Sequence, residues 1–303
     1  MPRHAPVHRL PPRDEFLVRY RISEQDYENT GLRWAELQSI FDDYHGWYDN
    51  LPKIAEGLSS ILRRCPAVHV ARCRAKNPEK LIAKIIRRSI EEESRWASRS
   101  NYVQVVPDLI GLRAIYLMNE QWPEVHRFIR ANFPVRRNPK PTAYIQPPIP
   151  TRIRSAYENG GLKIKTGKHG YQSIHYEMRH QVGKYDVRIE IQARTLYQEA
   201  WGEISHVTAY PYRTRVALLT KSMLKLASLT AKADYFSSAV DKVAQLWDAR
   251  TARRMPSSNL VDSYMELLDF LSDNHPEIAE GLRAASTEFS IGRVDETFRL
   301  PPV

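Results

Sequence analysis

Two strand-like segments carry residue types that could do chemistry. In YDVRIEIQART, Asp186, Arg188, Glu190, Gln192 and Arg194 alternate with Val187, Ile189, Ile191 and Ala193. A period of two sends the sets to opposite faces, one packed and one polar. A solvated outer face fits that pattern equally well. The preceding segment, GKHGYQSIHYEMR, places Tyr171, Ser173, His175, Glu177 and Arg179 on one face, after a turn in which Gly167 and Gly170 bracket Lys168. Glycines allow close backbone approach to a ligand, and lysine supplies a point charge for phosphate. Tyr171, directly after Gly170, can hold its ring clear of the backbone and stack on a base. On that reading the ring matters, and phenylalanine would serve as well. Taken singly, Tyr171 also reads as a strand aromatic and His175 as a core histidine.

Two further segments bring cations and a carboxylate. In RAKNPEKLIAKIIRR, Arg74 and Lys76 project the same way from a strand. Asn77-Pro78 reads as an N-cap and first-turn proline. The helix it opens has Leu81, Ile82, Ile85 and Ile86 on one side and Lys80, Lys84, Arg87 and Arg88 on another. A helix N-terminus beside several cations can take a triphosphate; a solvated basic face is the plain alternative. In PDLIGLRAIYL, Asp108 stands at the mouth of an apolar strand and Arg113 within it. A buried guanidinium needs a partner, whether a stacked base, a phosphate or a carboxylate such as Asp108 itself. Asp108 and Glu190 are the carboxylates best placed to hold a divalent metal for phosphoryl-type transfer.

The elements that must position these groups follow from the apolar periodicity. Residues 23–65 read as helical, with a break at Pro52. Strands are expected at 67–75, 109–118, 171–180 and 184–194, with helices at 77–95 and 122–132. Residues 134–166 hold six prolines and Gly160-Gly161, and read as a long irregular insertion. Beyond Thr195 the pattern is helical to Arg250, and a Pro/Ser linker precedes a helix at 259–273. The expected organisation is a disordered lead-in (1–16), a helical N-terminal part (17–66), an α/β (α+β) core with a mixed sheet of about five strands flanked by helices (67–215), and a helical C-terminal extension (216–303).

Bulk composition bounds the function. The chain has 303 residues, 42% hydrophobic and 26% charged, which suits a folded core. It shows no membrane-length apolar run and no signal-peptide pattern. Cys65 and Cys73 lack zinc-ligand spacing and fit a reducing cytoplasm. The net charge of +10 favours polyanionic partners such as nucleotides or RNA.

In order and spacing, RAKNPEKLIAKIIR, DLIGLR, GKHGYQSIH and EIQART with Trp201 and His206 resemble the synthetase domain of the RelA/SpoT homologue family, above all its small alarmone synthetases. The resemblance covers about residues 45–215 and implies a nucleotidyltransferase-like fold. It implies that Arg74 and Arg113 sandwich the adenine of ATP, and that Lys76, Lys84 and Arg87 hold its phosphates. Asp108 and Glu190 would bind Mg2+, with Glu190 also deprotonating the acceptor. Tyr171 would stack on the acceptor base, with Lys168, His175, Gln192 and Arg194 around the acceptor phosphates. Lys80, Ser205 and Glu199 depart from the family pattern. The implied activity is transfer of the β,γ-diphosphate of ATP to the 3′-hydroxyl of GDP or GTP, making (p)ppGpp. Two alternatives stay open: a toxin that pyrophosphorylates the 3′ end of tRNA or an adenosine nucleotide, favoured by the charge, and a domain that binds nucleotide or RNA without catalysis. A homo-oligomer or an antitoxin partner is compatible with the resemblance.

Overall fold

The computed structural model describes residues 9–93, 97–208, 216–251 and 258–291. Four helices lead: α1 (Arg13–Arg19), α2 (Glu24–Asn29), α3 (Trp34–Tyr48) and α4 (Asn50–Leu62). Strand β1 (Val70–Ala75), helix α5 (Pro78–Glu91), the short helix α6 (Tyr102–Val105), β2 (Ile110–Tyr116) and α7 (Trp122–Asn132) follow. Then come β3 (Thr142–Ile145), α8 (Thr151–Asn159), β4 (Lys163–Thr166), β5 (Ser173–Val182), β6 (Tyr185–Thr195) and α9 (Leu196–Thr208). The chain continues as α10 (Ala217–Thr251), α11 (Ser258–Asn274) and α12 (Pro276–Ile291).

The sheet has six strands in the order β1-β2-β6-β5-β3-β4. It is mixed: β2 runs parallel to β6 and β3 to β4, and the other pairs are antiparallel. The α+β class is as expected, with one strand more than anticipated. The extra structure lies in the segment read as irregular, where β3, α8 and β4 form among the prolines. Pro150 ends the preceding loop and lies immediately before α8, where its missing N–H costs nothing. The lead-in differs too. Pro12 precedes α1, whose Phe16 and Leu17 are buried, so the ordered chain begins before residue 17. Beyond Thr195 the described residues form α9 and α10 as the helical pattern expects, and residues 209–215 lie outside them.

The core forms on the apolar face of the sheet. Leu112, Ala114, Val187, Ile189, Ile191 and Ala193 are fully buried there, in one cluster with Leu81, Ile82, Ile85 and Ile86 of α5. Burying an aliphatic side chain of this size contributes about 1.5–3 kcal/mol. The four α5 residues therefore hold that helix far more firmly than its propensity could. A second cluster (Tyr235, Leu267, Leu268, Leu271, Leu282) joins α10, α11 and α12. A third, Trp201, Met223 and Ala227, backs Tyr171. Among the described residues, no helix is long and apolar enough to cross a membrane.

Candidate active site

The polar face of the sheet is assembled by register. Arg74 lies opposite Gly111, Gly111 opposite Glu190, and Arg113 opposite Gln192; Gln192 in turn faces His175. One row across four strands therefore carries Arg72, Arg113, Gln192 and His175, and the next carries Arg74, Gly111, Glu190 and Glu177. Gly111 leaves space at the centre of its row, and the Arg74 side chain lies over it: a Cβ there would stand 3.4 Å from the Arg74 Nε. The cleft so formed is lined by Arg72, Arg74, Arg113, Glu190, Gln192 and Glu203 among others.

Asp108 is placed by a backbone bond. The Lys76 N–H donates to the Leu109 carbonyl at 2.9 Å, tying the end of β1 to the start of β2. That brings the Lys76 Nζ within 2.8 Å of Asp108 Oδ2. From α5, Lys84 Nζ reaches Oδ1 at 2.8 Å, and Arg74 stands 3.7 Å from Oδ2. The Asn77 side chain caps α5 by accepting from the Lys80 N–H at 3.3 Å, which fixes where Lys84 emerges. Burial by itself would raise the Asp108 carboxyl, but Lys76 and Lys84 outweigh it and hold the group well below the usual carboxylate range. Burial lowers the Lys76 ammonium to about 8 in spite of Asp108.

A second constellation lies further along the face. Glu190 Oε1 is 3.0 Å from His175 Nδ1, and His175 Nε2 is 2.6 Å from the Tyr171 hydroxyl. Arg194 donates to that hydroxyl and to Gln192 Oε1, both at 2.6 Å, and to Ser173 at 3.0 Å. Burial opposes charge on Glu190 and His175, yet each overcomes it in the other: His175 pulls Glu190 down to about 2, and Glu190 with Tyr171 lifts His175 to about 9. The Tyr171 hydroxyl, which burial would raise, is brought below its ordinary value by His175 and Arg194. The turn before it is tight. A Cβ on Gly167 would fall 1.7 Å from the Tyr171 carbonyl oxygen, and Gly170, at φ +92°, abuts Ala227 of α10.

Two sequence readings need correction. Arg113 does not pair with Asp108; its partners are Glu199, at 2.6 Å, and Glu203, both on α9. Tyr171 does not stand clear. Its ring is half-buried, edge-on to Tyr144 and Trp201, with the Arg194 guanidinium 5.2 Å from its centroid. The hydroxyl is therefore part of the network, and phenylalanine is not its equivalent. Lys168 is exposed on the turn, and Arg87 is half-buried, bonding the Ala83 carbonyl of its own helix at 3.2 Å.

Glu199 and Glu203 escaped the sequence reading as partners of Arg113. Their signal was present: two glutamates four apart on the helix that follows the catalytic-looking strand face back over it. Among the described residues no group of three or more His, Cys, Asp or Glu side chains could hold a metal by itself. Asp108 and Glu190 are both shifted down from the ordinary carboxylate range by their cationic neighbours. Magnesium takes one or two carboxylates and fills its remaining positions with phosphate and water, so these are the two side chains that could hold one.

The architecture is that of an α+β protein with a cationic cleft on an open sheet face, Glu190 lining it and Asp108 beside Arg74 just before β2. Residues 73–215 match the model of the region found in RelA / SpoT proteins, so this chain carries a RelA/SpoT-type region. No curated protein matches the chain. Among solved structures, it is similar to a GTP pyrophosphokinase family protein from Streptococcus pneumoniae, with 17% identity, 70% of this chain and 94% of that chain covered, and a TM-score of 0.46. Small alarmone synthetase 1 from Bacillus subtilis aligns with 17% identity over 67% of this chain and 98% of that one, at a TM-score of 0.48.

Proposed function

We propose that the chain is an ATP-dependent pyrophosphokinase that moves the β,γ-diphosphate of ATP to the 3′-hydroxyl of GDP or GTP. The observation that carries this reading is a pair of carboxylates in a RelA/SpoT-type region, Asp108 held by Lys76 and Lys84 beside Arg74, and Glu190 held by His175 in the cleft that Arg74 also lines. On this reading Asp108 and Glu190 hold Mg2+, which when bound neutralises charge on the β- and γ-phosphates. Lys76 and Lys84, already poised beside Asp108, exchange that contact for the ATP phosphates, and Arg87 joins them. Arg74 and Arg113 take the two faces of adenine. On the acceptor side, Tyr171, His175, Gln192, Arg194 and Lys168 receive the second nucleotide.

The acceptor oxygen then attacks the β-phosphorus, the bond from that phosphorus to the oxygen bridging the α-phosphorus breaks, and AMP leaves. The acceptor proton passes to Glu190. A carboxylate titrating at about 2 is a weak base. Most of the acceleration must therefore come from alignment and charge neutralisation. His175 contributes by fixing the Glu190 carboxylate through Nδ1.

The test is transfer of label from γ-labelled ATP to GDP, GTP, ATP or deacylated tRNA by the purified protein. Label on GDP or GTP is expected. Label confined to tRNA or to an adenosine nucleotide replaces the acceptor and keeps the chemistry. No label on any of them, with ATP bound, leaves a nucleotide-binding domain.

A further inference from the structure

Glu199 occupies a place that the proposed chemistry does not use. It is one of the most deeply buried carboxylates among the described residues, 4% exposed, on the first turn of α9. Its two oxygens are divided. Oε1 accepts from the Arg113 Nη1 at 2.6 Å, and Oε2 accepts from the Arg194 Nη1 at 3.1 Å. Arg72 stands 3.8 Å from Oε1. Arg113 belongs to β2 and the half of the cleft that holds Arg74 and Asp108. Arg194 belongs to β6 and the half that holds Tyr171 and His175. No other carboxylate among the described residues is bonded to both. Glu203 hydrogen-bonds Arg113 and not Arg194, and Gly202 leaves room for the second bond, since a Cβ there would lie 3.0 Å from the Arg194 Nη1.

We propose that Glu199 is a positioning residue that couples the two halves of the cleft, setting the donor-side Arg113 and the acceptor-side Arg194 in one frame. The assignment of the halves rests on the proposed function. The physical argument is geometric. A guanidinium gripped by its edge keeps its plane and both faces available to a base. Because one carboxylate grips two guanidinium groups, a ligand that immobilises either arginine also immobilises the carboxylate. The second ligand then meets an arginine already ordered and pays less to bind, which is positive coupling without a change of fold. Such coupling is reciprocal, each ligand tightening the other by the same factor.

Glu199→Gln tests this sharply. A carboxylate offers two acceptor oxygens, whereas an amide offers one and turns a donor toward the second arginine. Glutamine can therefore hold Arg113 or Arg194, but not both. Arg113 keeps Glu203, and Arg194 keeps Ser173, Gln192 and Tyr171. Each ligand should thus still bind the variant.

The experiment is calorimetric titration of a non-hydrolysable ATP analogue and of GDP, each with and without the other saturating, in the presence of Mg2+. Deacylated tRNA takes the place of GDP if it proves to be the acceptor. In the wild type each ligand should tighten the other by about fivefold or more, the lower end of ordinary coupling. In Glu199→Gln each ligand should still bind, more weakly than to the wild type, and the factor should fall towards one. Gly202→Ala, which crowds Arg194 and leaves every charge in place, should weaken the acceptor and reduce the factor. Glu203→Gln should weaken the ATP analogue and leave the factor intact. A wild-type factor of one, or an unchanged factor in both Glu199→Gln and Gly202→Ala, overturns the proposal and leaves the functional reading standing. A wild type that binds neither nucleotide defeats the functional reading, and this one with it.

Discussion

Replacing Tyr171 by phenylalanine removes one oxygen and leaves the ring. That oxygen lies 2.6 Å from His175 Nε2 and accepts from the Arg194 Nη2 at 2.6 Å, in a half-buried setting. Hydrogen bonds to charged groups contribute roughly 1.5–3 kcal/mol each. Both partners keep other contacts, Arg194 with Ser173, Gln192 and Glu199, and His175 with Glu190. The loss should therefore sit near the low end for a single bond, about 1.5 kcal/mol. If expressed in stability, that is a fall in Tm of roughly 2–3 °C. If expressed in acceptor binding, it is about tenfold in KM. ATP, on the far side of the cleft, should be little affected. The assay is a melting curve together with KM for both substrates. Unchanged Tm and unchanged acceptor KM in Tyr171→Phe would show that the hydroxyl is not part of a working network, and would return Tyr171 to the role of a bare stacking ring.

Three other outcomes are expected. Glu190→Gln should abolish transfer while an ATP analogue still binds, because the amide keeps the shape and loses the charge; turnover within tenfold of wild type would show the wrong carboxylate has been named. Gly167→Ala should disrupt acceptor use more than ATP binding, since its methyl would meet the Tyr171 carbonyl oxygen at 1.7 Å and must displace the turn; equal loss of both affinities, read by titration, would contradict this. Acid should destabilise the fold through His126, which burial and then Arg130 push down from 6.5 to about 4. Between those values the unfolded chain binds a proton that the folded chain refuses, so stability is present above 6.5 and falls as pH drops towards 4. Denaturant titration across that window should show a shallower fall in His126→Gln, and an unchanged slope would refute the assignment.

The sequence made the sheet's polar face readable because alternation in β6 and β5 leaves little freedom about which side chains share a side. Glu190, His175 and Arg194 share the polar side for that reason, while the apolar side of α5 was legible from helical spacing. What alternation cannot give is the partner of a charge. Asp108, five residues away along the chain, was one partner open to Arg113, but the backbone bond from Lys76 to Leu109 hands Asp108 to the lysines and leaves Arg113 to α9. The strands β3 and β4 were hidden for a different reason. Each is four residues long, too short for periodicity to register, and they lie among prolines that ordinarily mark loops. Helix α1 was masked in the same way by Pro11 and Pro12 before it.

The central claim is that a diphosphate unit leaves ATP intact and AMP remains, and a paired labelling experiment addresses it directly. With ATP labelled at the α-phosphorus in one reaction and at the γ-phosphorus in another, the account predicts labelled AMP and labelled acceptor in equal amounts, both absent with Glu190→Gln. Formation of ADP in place of AMP, or transfer that survives Glu190→Gln, would contradict it.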